Sequence, residues 1–324
     1  MRVTVASIAL AALAIATPAT TAAQQTYPTK PIRIVAPFPA GGTSDTIARI
    51  LGQKLTEAWK QQAIVENRAG VAGSLGSAVV AKAPPDGYTL LVGNVGPVAI
   101  NHNVYKNTGY DPIKDFTPIS LAVTAPQLVV VHPSVPARNF REFTALVKKH
   151  KGKINYGSSG PGSISHLSAE LYKQMTGADM LHVPFKGSAL ITNAILGGEI
   201  DVVFSDMAVV LPHVQAKKLR ALAVTGPQPT PLVPGVPTVA ESGVPGFSMT
   251  SWWGVLGPAG MQPAIVSRLN SELVRILKTD DVKQKFANLG VDAANSTPEE
   301  FGKLIRVEID KYAKLLKSVG IQPQ

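Results

Sequence analysis

The chain has 324 residues, of which 45% are hydrophobic and 16% charged, so it can form one large or two medium globular domains and is not disordered by charge. It contains no cysteine, which excludes disulfides, thiolate metal sites, cysteine nucleophiles and a lipidated N-terminal cysteine. Its net charge of +10 is scattered and not interleaved with aromatic residues, a pattern that argues against nucleic-acid binding.

The first 23 residues have the pattern of a secretory signal peptide. Arg2 supplies a short basic region, residues 3–16 are apolar, and small residues precede Gln24. A membrane anchor is the alternative, but the apolar run is shorter than the roughly 20 residues that a span requires, and it ends at Pro18. We therefore expect export to the periplasm, with cleavage near Ala23.

Strand-like and helix-like segments then alternate, which predicts an α/β fold. The β-rich runs are continuously apolar, as in parallel strands covered on both faces. They lie at Ile32–Ala36, Ala63–Glu66, Thr89–Gly93, Leu128–His132, Ile154–Gly157, Leu181–Val183, Val202–Phe204 and Ala221–Val224. Between them helical periodicity recurs, for example in Ile47, Leu51 and Leu55. These patterns predict central sheets that are mostly parallel.

The C-terminal part has a different character. Residues 226–247 are rich in proline and glycine, so we expect a long connection there. Two helices follow, and the first carries Leu269 and Leu273 on one face. The second begins at Thr297, with proline at the first helical position and Glu300 in place for a capping box.

Two strand-to-helix junctions carry more glycines and hydroxyl groups than a turn requires. The first reads PFPAGGTSD over residues 37–45, and the second reads YGSSGPGS over residues 156–163. Each offers free backbone N–H groups, hydroxyl donors and the positive end of a helix dipole. The alternative is a well-capped turn at each junction. If the two junctions lie in different lobes and face each other, they can hold a small anion between them.

Eight motifs occur in order along the chain: PFPAGGTSDTIAR, VENRAGVAGSLG, NYGSSGPGSISHLSAEL, HVPFKGSA, GGEIDVVFSD, LRALAVT, VPTVAESGVPGF and WWGVLGPAG. Together they resemble the Bug family, the periplasmic solute-binding proteins of tripartite tricarboxylate transporters, over essentially the whole mature chain. The resemblance implies a two-lobed periplasmic-binding-protein fold of type II (Venus flytrap) that closes on a small carboxylate-bearing ligand. It places lobe 1 at residues 24–123 plus 226–324 and lobe 2 at 124–225, after a signal peptide at 1–23.

The resemblance also implies that both junctions hold the ligand carboxylate through backbone amides, hydroxyl groups and ordered waters. From the first junction the expected binding residues are Phe38, Ala40, Gly41, Gly42, Thr43, Ser44 and Asp45, and from the second they are Ser158, Ser159, Gly160, Ser163 and His166. Phe185, Lys186, Gly187 and Asp206 are expected to line the side of the second lobe. Asn94 and Gly96 follow the third strand, whose carboxyl end opens on the cleft of a parallel sheet.

Several of these residues have a structural alternative. Asp45 either contacts an amino group of the ligand or fixes its loop, and His166 either faces the cleft or is structural. One of Thr43 and Ser44 is expected to cap the first helix, which leaves the other free to donate. Lys186 either attracts a carboxylate or is simply solvated. Where the family often has Asp-Asn the chain has Ser205-Asp206, and Phe185 replaces a more usual tyrosine, so both positions bear on which ligand binds.

The sequence lacks the motif sets of common enzymes. It has no G-x-S-x-G elbow, no GxxxxGK[ST] phosphate loop and no H-E-x-x-H pair, and the glycines of GVAGSLG miss the dinucleotide spacing. We therefore predict a monomeric binding protein, not an enzyme, that needs no metal or cofactor. The resemblance implies that it works with integral membrane subunits of a transporter. Two alternatives are an exported ligand-sensing partner of a membrane signalling protein and a hydrolase without a recognisable motif. Dicarboxylates, tricarboxylates, acidic amino acids and aromatic acids all offer the required carboxylate.

Overall fold

The computed structural model describes residues 27–323, so the predicted signal peptide lies outside the described residues. Within them the strands are β1 Ile32–Ala36, β2 Ala63–Asn67, β3 Thr89–Asn94, β4 Phe116–Val131, β5 Asn155–Ser158, β6 Leu181–Pro184, β7 Val202–Asp206, β8 Arg220–Val224, β9 Thr250–Pro258 and β10 Asp292–Ala293. The helices are α1 Thr43–Trp59, α2 Ser74–Ala81, α3 Asn101–Val104, α4 Phe140–Lys149, α5 Ile164–Thr176, α6 Ser188–Leu196, α7 Met207–Gln215, α8 Pro263–Leu277, α9 Asp280–Asn288 and α10 Pro298–Ser318.

All strands of the described residues belong to one sheet, in the order β2-β1-β3-β9-β4-β7-β5-β6, with β8 and β10 also paired to β4. Strand β4 is sixteen residues long and joins two halves of this sheet. Up to Pro126 it pairs with β9 and β10, and from Gln127 onward it pairs with β7 and β8. We call β1, β2, β3, β9, β10 and β4 up to Pro126 the first half-sheet, and β5 to β8 with the rest of β4 the second half-sheet.

The sheet is mixed, with four parallel and five antiparallel pairings among the described strands, so the expectation of mostly parallel strands is wrong. Strand β1 runs parallel to β2 and β3, and β5 runs parallel to β6 and β7. Every pairing of β4 and β9 is antiparallel. The parallel pairs therefore lie towards the two ends of the sheet. Strand β9, which was not among the predicted strands, enters from the connection at 225–249, so no crossover helix forces it to run parallel.

The eight predicted strands are all present, and seven have bounds within two residues of the prediction. The exception is the fourth, since Leu128–His132 is only the end of the much longer β4. The connection at 226–247 is confirmed, because no helix or strand interrupts the described chain between β8 and β9.

Helices cover the faces of both half-sheets. Helix α1 buries Ile47 and Leu55 against the first half-sheet, where Leu269 and Leu273 of α8 complete the same core. Helices α6 and α7 bury a separate core against the second half-sheet. Helix α10 begins with the predicted capping box, in which Thr297 accepts from the Glu300 amide while the Glu300 carboxylate accepts from the Thr297 amide. Among the helices at 27–323, none combines the length and apolarity that a bilayer crossing needs.

Candidate functional site

The first junction forms a rigid loop that is held by Asp45. The Asp45 carboxylate accepts hydrogen bonds from the Gly41 amide at 2.9 Å and from the Asn67 side chain at 3.0 Å, and it pairs with Arg49 at 3.0 Å. Burial alone would raise the pKa of Asp45, but the hydrogen bonds from Arg49, Gly41 and Asn67 outweigh it and lower that pKa. Of the two alternatives for Asp45, the geometry therefore favours fixing the loop.

The expectation that Thr43 or Ser44 caps α1 is wrong. The N-cap residue is Gly42, and no side chain caps the helix. The Thr43 hydroxyl donates instead to the Asp206 carboxylate at 3.1 Å, and the Ser44 hydroxyl accepts from the Trp253 indole at 3.1 Å. Both hydroxyls are hydrogen-bonded to residues more than 150 positions away in the sequence. The first N–H groups of α1 therefore have no side-chain acceptor.

A chain of serine hydroxyls forms the second junction. Ser163 caps α5 by accepting from the His166 amide at 3.3 Å, and its hydroxyl lies 3.0 Å from that of Ser165. Ser165 in turn accepts from the Ser159 amide at 3.0 Å. The junction therefore keeps its hydroxyls close together at the start of α5, where the helix dipole favours negative charge.

His166 is structural in this arrangement. Its ring stacks on His182 at 4.1 Å between centroids, and its Nδ1 accepts from the Gly162 amide at 3.1 Å. Burial, followed by the charges of His182 and Lys173, lowers the pKa of His166 to about 3, so the ring is neutral at physiological pH. The Ser158 hydroxyl is bonded to His182 on the same buried side.

A small inner cavity lies between the two junctions. Its volume is about 20 Å³, and its lining residues are Phe38, Ala72, Asn94, Gly96, Ser159, Ser163, Ile164, Ser165, Ser188, Ile191, Ser205 and Asp206. An adjoining space of about 10 Å³ adds Thr43 and Ser44 to the lining. The Asn94 side-chain oxygen Oδ1 accepts from the Gly96 backbone amide at 3.1 Å, and the side-chain nitrogen Nδ2 has no hydrogen-bond partner among the described residues.

Four helices begin at this cavity. The first residues or N-caps of α1, α5, α6 and α7 line it, and these helices have 17, 13, 9 and 9 residues. Each helix start carries about half a positive charge from its unpaired N–H groups. The helix starts therefore place positive partial charge around the inner cavity, although none of its described lining residues is a lysine or arginine, and the Asp206 carboxylate opposes that charge when it is ionised.

Asp206 is the one ionisable side chain among the described residues that line the inner cavity. It is the N-cap residue of α7, and its carboxylate accepts from Thr43 at 3.1 Å and from Ser251 at 3.5 Å. The residue is partly accessible because it faces the cavity, yet the carboxyl group is enclosed by protein. Burial raises the pKa of Asp206 to about 6 despite the hydrogen bonds from Thr43 and Ser251 that oppose the change.

A larger outer cavity of about 560 Å³ adjoins the inner one. Phe38, Ala72 and Ser159 line both, so only these side chains separate the two spaces or border the passage between them. Residues 69–73 border it from the side of the first half-sheet, and Gly160 and residues 184–186 border it from the other side.

Glycines let the two sides of the cleft approach closely. A Cβ on Gly42 would lie 3.4 Å from the Ser188 hydroxyl across the cleft. A Cβ on Gly187, which has φ of +117°, would lie 2.9 Å from Pro39 Cδ. Larger side chains at these two positions would keep the sides apart.

The structure places the predicted binding residues in three groups. The inner cavity and its adjoining space receive Phe38, Thr43, Ser44, Asn94, Gly96, Ser159, Ser163 and Asp206. Gly160, Phe185 and Lys186 lie on the outer cavity instead. The remaining residues line neither space: Ala40, Gly41, Gly42, Asp45, Ser158, His166 and Gly187.

Sequence reasoning missed several lining residues. Ser165 and Ser188 belong to motifs that were singled out, so the motifs contained a signal for them, whereas Ser205 was named as a position that bears on the choice of ligand. Val71 and Ala72 also lie within such a motif, but they adopt left-handed backbone conformations, with φ of +46° and +50°, that their residue types do not predict.

Comparisons with known proteins agree on one family. The family model described as "Tripartite tricarboxylate transporter family receptor" (TctC) matches residues 47–321. The chain is 36% identical over 311 residues to the "UPF0065 protein in tcbD-tcbE intergenic region" of Pseudomonas sp. strain P51, which covers 95% of this chain and 92% of that protein. It is 33% identical over 296 residues to protein BugT of Bordetella pertussis, with 91% of each covered.

Solved structures agree as well. Rpa4515 of R. palustris, solved with adipate, has a TM-score of 0.90 at 34% identity and covers 92% of this chain and 100% of its own. The periplasmic binding protein BugD has a TM-score of 0.87 at 32% identity, with the same coverage. MatC (Rpa3494) of Rhodopseudomonas palustris, solved with bound malate, has a TM-score of 0.85 at 30% identity and covers 90% of this chain and 100% of its own. The two-lobed fold of periplasmic binding proteins is therefore confirmed.

Proposed function

The chain belongs to the tripartite tricarboxylate transporter receptor family, and on that premise we propose that its cleft captures a small organic anion by a carboxylate group. The observation that carries the proposal is the convergence of four helix starts on the inner cavity. Backbone N–H groups at helix starts bind anions without a basic side chain. The adipate and malate in the structures of Rpa4515 and MatC support a carboxylate as the anion.

Ligand capture would work through closure of two lobes. The proposed lobes are residues 24–123 plus 226–324 and residues 124–225. Two crossings of the chain between the half-sheets support these lobe bounds. The first crossing lies within β4, and the second lies in the connection before β9. A ligand that contacts both junctions favours the closed arrangement because the open arrangement offers only one set of contacts.

The remaining parts of the proposal concern location and partners. We propose that the protein is exported, with cleavage near Ala23, and acts in the periplasm as a monomer. It would present the closed, loaded cleft to integral membrane subunits of a transporter and would bind its ligand without chemical conversion. The family match and the periplasmic relative BugD support this assignment.

A ligand panel tests the proposal. The mature protein, from Gln24 onward, is stripped of ligand by partial unfolding and then heated with organic acids and with the matching amides. At a hundredfold excess over Kd, binding adds about 2.7 kcal/mol to the free energy of unfolding. A protein of about 300 residues has an unfolding entropy of about 0.6 kcal/mol per kelvin, so Tm should rise by about 4–5 °C with an acid and not with its amide. A panel in which no carboxylate raises Tm would refute the proposal.

Gly42 supplies a matched pair of variants. In Gly42→Ala the new Cβ would lie 3.3 Å from the Pro39 carbonyl oxygen and 3.4 Å from the Ser188 hydroxyl, a tight fit that a small shift relieves. The branches of Gly42→Val have no such room in the closed cleft. We expect Gly42→Val to abolish the ligand-induced rise in Tm while Gly42→Ala keeps most of it. Equal responses in the two variants would argue against closure at this contact.

A further inference from the structure

The inner cavity is too small for a whole organic acid. Its volume of about 20 Å³ is close to the minimum that holds one water molecule. A carboxylate has three heavy atoms and enters this space only when the lining side chains move outward, so at most the carboxylate end of a ligand lies there. The rest of the ligand must lie in the outer cavity, whose volume of about 560 Å³ is typical of small-molecule sites.

The outer cavity offers mainly apolar atoms to that part of the ligand. Phe38, Val71, Ala72 and Phe185 contribute carbon surface to its walls. The hydroxyl of Tyr105, which also borders it, is already used, because it donates to the Pro161 carbonyl at 2.9 Å. Lys186 is the one charged residue among the described residues that line the cavity, and it is exposed to solvent at the edge.

Val71 and Ala72 adopt a strained backbone conformation in which Val71 stays exposed at the outer cavity. A β-branched residue with positive φ is a genuine outlier, and such strain persists where surrounding contacts determine it, as at ligand clamps. Here the Asn101 side chain donates to the Ala72 carbonyl at 3.0 Å and holds the turn. The Val71 side chain is left 55% exposed at the cavity, where a ligand would cover it.

We infer that the ligand is an organic acid with an extended apolar body, such as an aliphatic chain or a ring, and not a compact hydroxy acid. The inference rests on the proposed function, since the inner cavity must first hold the carboxylate. The body then lies against Phe38, Val71 and Phe185 and excludes water from them. Affinity should therefore grow with the length of the apolar body.

Calorimetric titration of the mature protein with acetate, butanoate, hexanoate and malate tests the inference. Burying one methylene group changes affinity by about fourfold, so hexanoate should bind about 16-fold more tightly than butanoate and more tightly than malate. Val71→Asn removes apolar surface, and asparagine tolerates the left-handed conformation, so the fold should survive. The Val71→Asn substitution should reduce the roughly 16-fold gain in affinity from butanoate to hexanoate to less than about fourfold. Val307→Asn is the matched control, since Val307 is also 55% exposed but lines neither cavity, and it should leave the gain unchanged.

The outcomes separate the inference from the proposed function. If malate binds while butanoate and hexanoate bind equally or more weakly, the carboxylate site stands and the apolar body is refuted. The apolar body is also refuted if the gain in affinity from butanoate to hexanoate is equal in Val71→Asn and Val307→Asn. If none of the four acids binds, the inference fails, and the wider panel of acids and amides described above decides separately on the proposed function.

Discussion

Replacing Asp206 by asparagine removes a charge from the cleft while it preserves the shape of the residue. Burial raises the pKa of Asp206 from its ordinary 3.8 to about 6, and its hydrogen bonds to side chains come from the Thr43 and Ser251 hydroxyls. In the described structure no basic side chain is bonded to it. One pKa unit corresponds to about 1.36 kcal/mol, so the charged carboxylate costs up to about 3 kcal/mol in the closed protein.

The sign of the effect follows from proton binding. Between pH 3.8 and about 6 the folded protein holds the Asp206 proton and the unfolded chain does not, so stability falls as pH rises through this window. Above this pH window the full free-energy cost of the charged Asp206 carboxylate is present, and below the window that cost is absent. Asp206→Asn should therefore match the wild type near pH 4 and exceed its Tm at pH 7.5 by up to about 5 °C, at about 0.6 kcal/mol per kelvin.

The measurement is the difference in Tm between the two proteins from pH 4 to pH 8. The difference is needed because His166 acts in the opposite direction. Burial, His182 and Lys173 lower the pKa of His166 to about 3, so its contribution is lost as pH falls below 6.5. Asp310→Asn, at an exposed carboxylate that lines neither cavity, is the control for the same change of side chain. A difference for Asp206→Asn that is constant with pH, or larger at pH 4 than at pH 7.5, would refute the reasoning.

Two helix caps and one exposed cation provide the other tests. Ser163→Ala and Thr297→Ala each remove an N-cap side chain and should each cost about 1 kcal/mol, or about 2 °C in Tm. Only Ser163→Ala should also weaken carboxylate binding in calorimetry, since Thr297 is remote from the cavities; equal affinities in the two variants would remove Ser163 from the site. Lys186→Gln should lower affinity less than threefold at low salt and not at all at 1 M salt, because the field of an exposed charge is screened. A larger, salt-resistant loss would assign Lys186 a direct bond to the ligand.

Much of the fold could be predicted because parallel βαβ units have a strong local signature. Continuous apolar runs and helical periodicity predicted β1 to β3 and β5 to β7, which have parallel partners, with close bounds, and also β8, which pairs antiparallel with β4. The strands that join the half-sheets were harder to predict. Only the end of β4 and none of β9 was among the predicted strands, because their antiparallel pairing depends on partners more than a hundred residues away. Periodicity within a short window carries no information about such partners.

The candidate site could be predicted as two segments but not as a set of free donors. The glycine- and hydroxyl-rich junctions do border the inner cavity, as their composition indicated. Which of their polar groups remain available depends on neighbours that composition does not reveal. The Asp45 carboxylate is already hydrogen-bonded to Gly41, Arg49 and Asn67, and the Ser158 hydroxyl is already hydrogen-bonded to His182.

The same competition explains the residues that were missed. Ser188 reaches the inner cavity because it is the first residue of α6, a helix that begins there. A helix start is an anion site only if its N–H groups face an open space, and that depends on how four helices from distant parts of the chain are arranged around it. A sequence can therefore indicate each helix start separately, while the cavity that they surround exists only once the two half-sheets bring them together. For that reason a substitution that keeps the two sides apart, such as Gly42→Val against Ser188, should remove binding although Gly42 itself lines neither cavity.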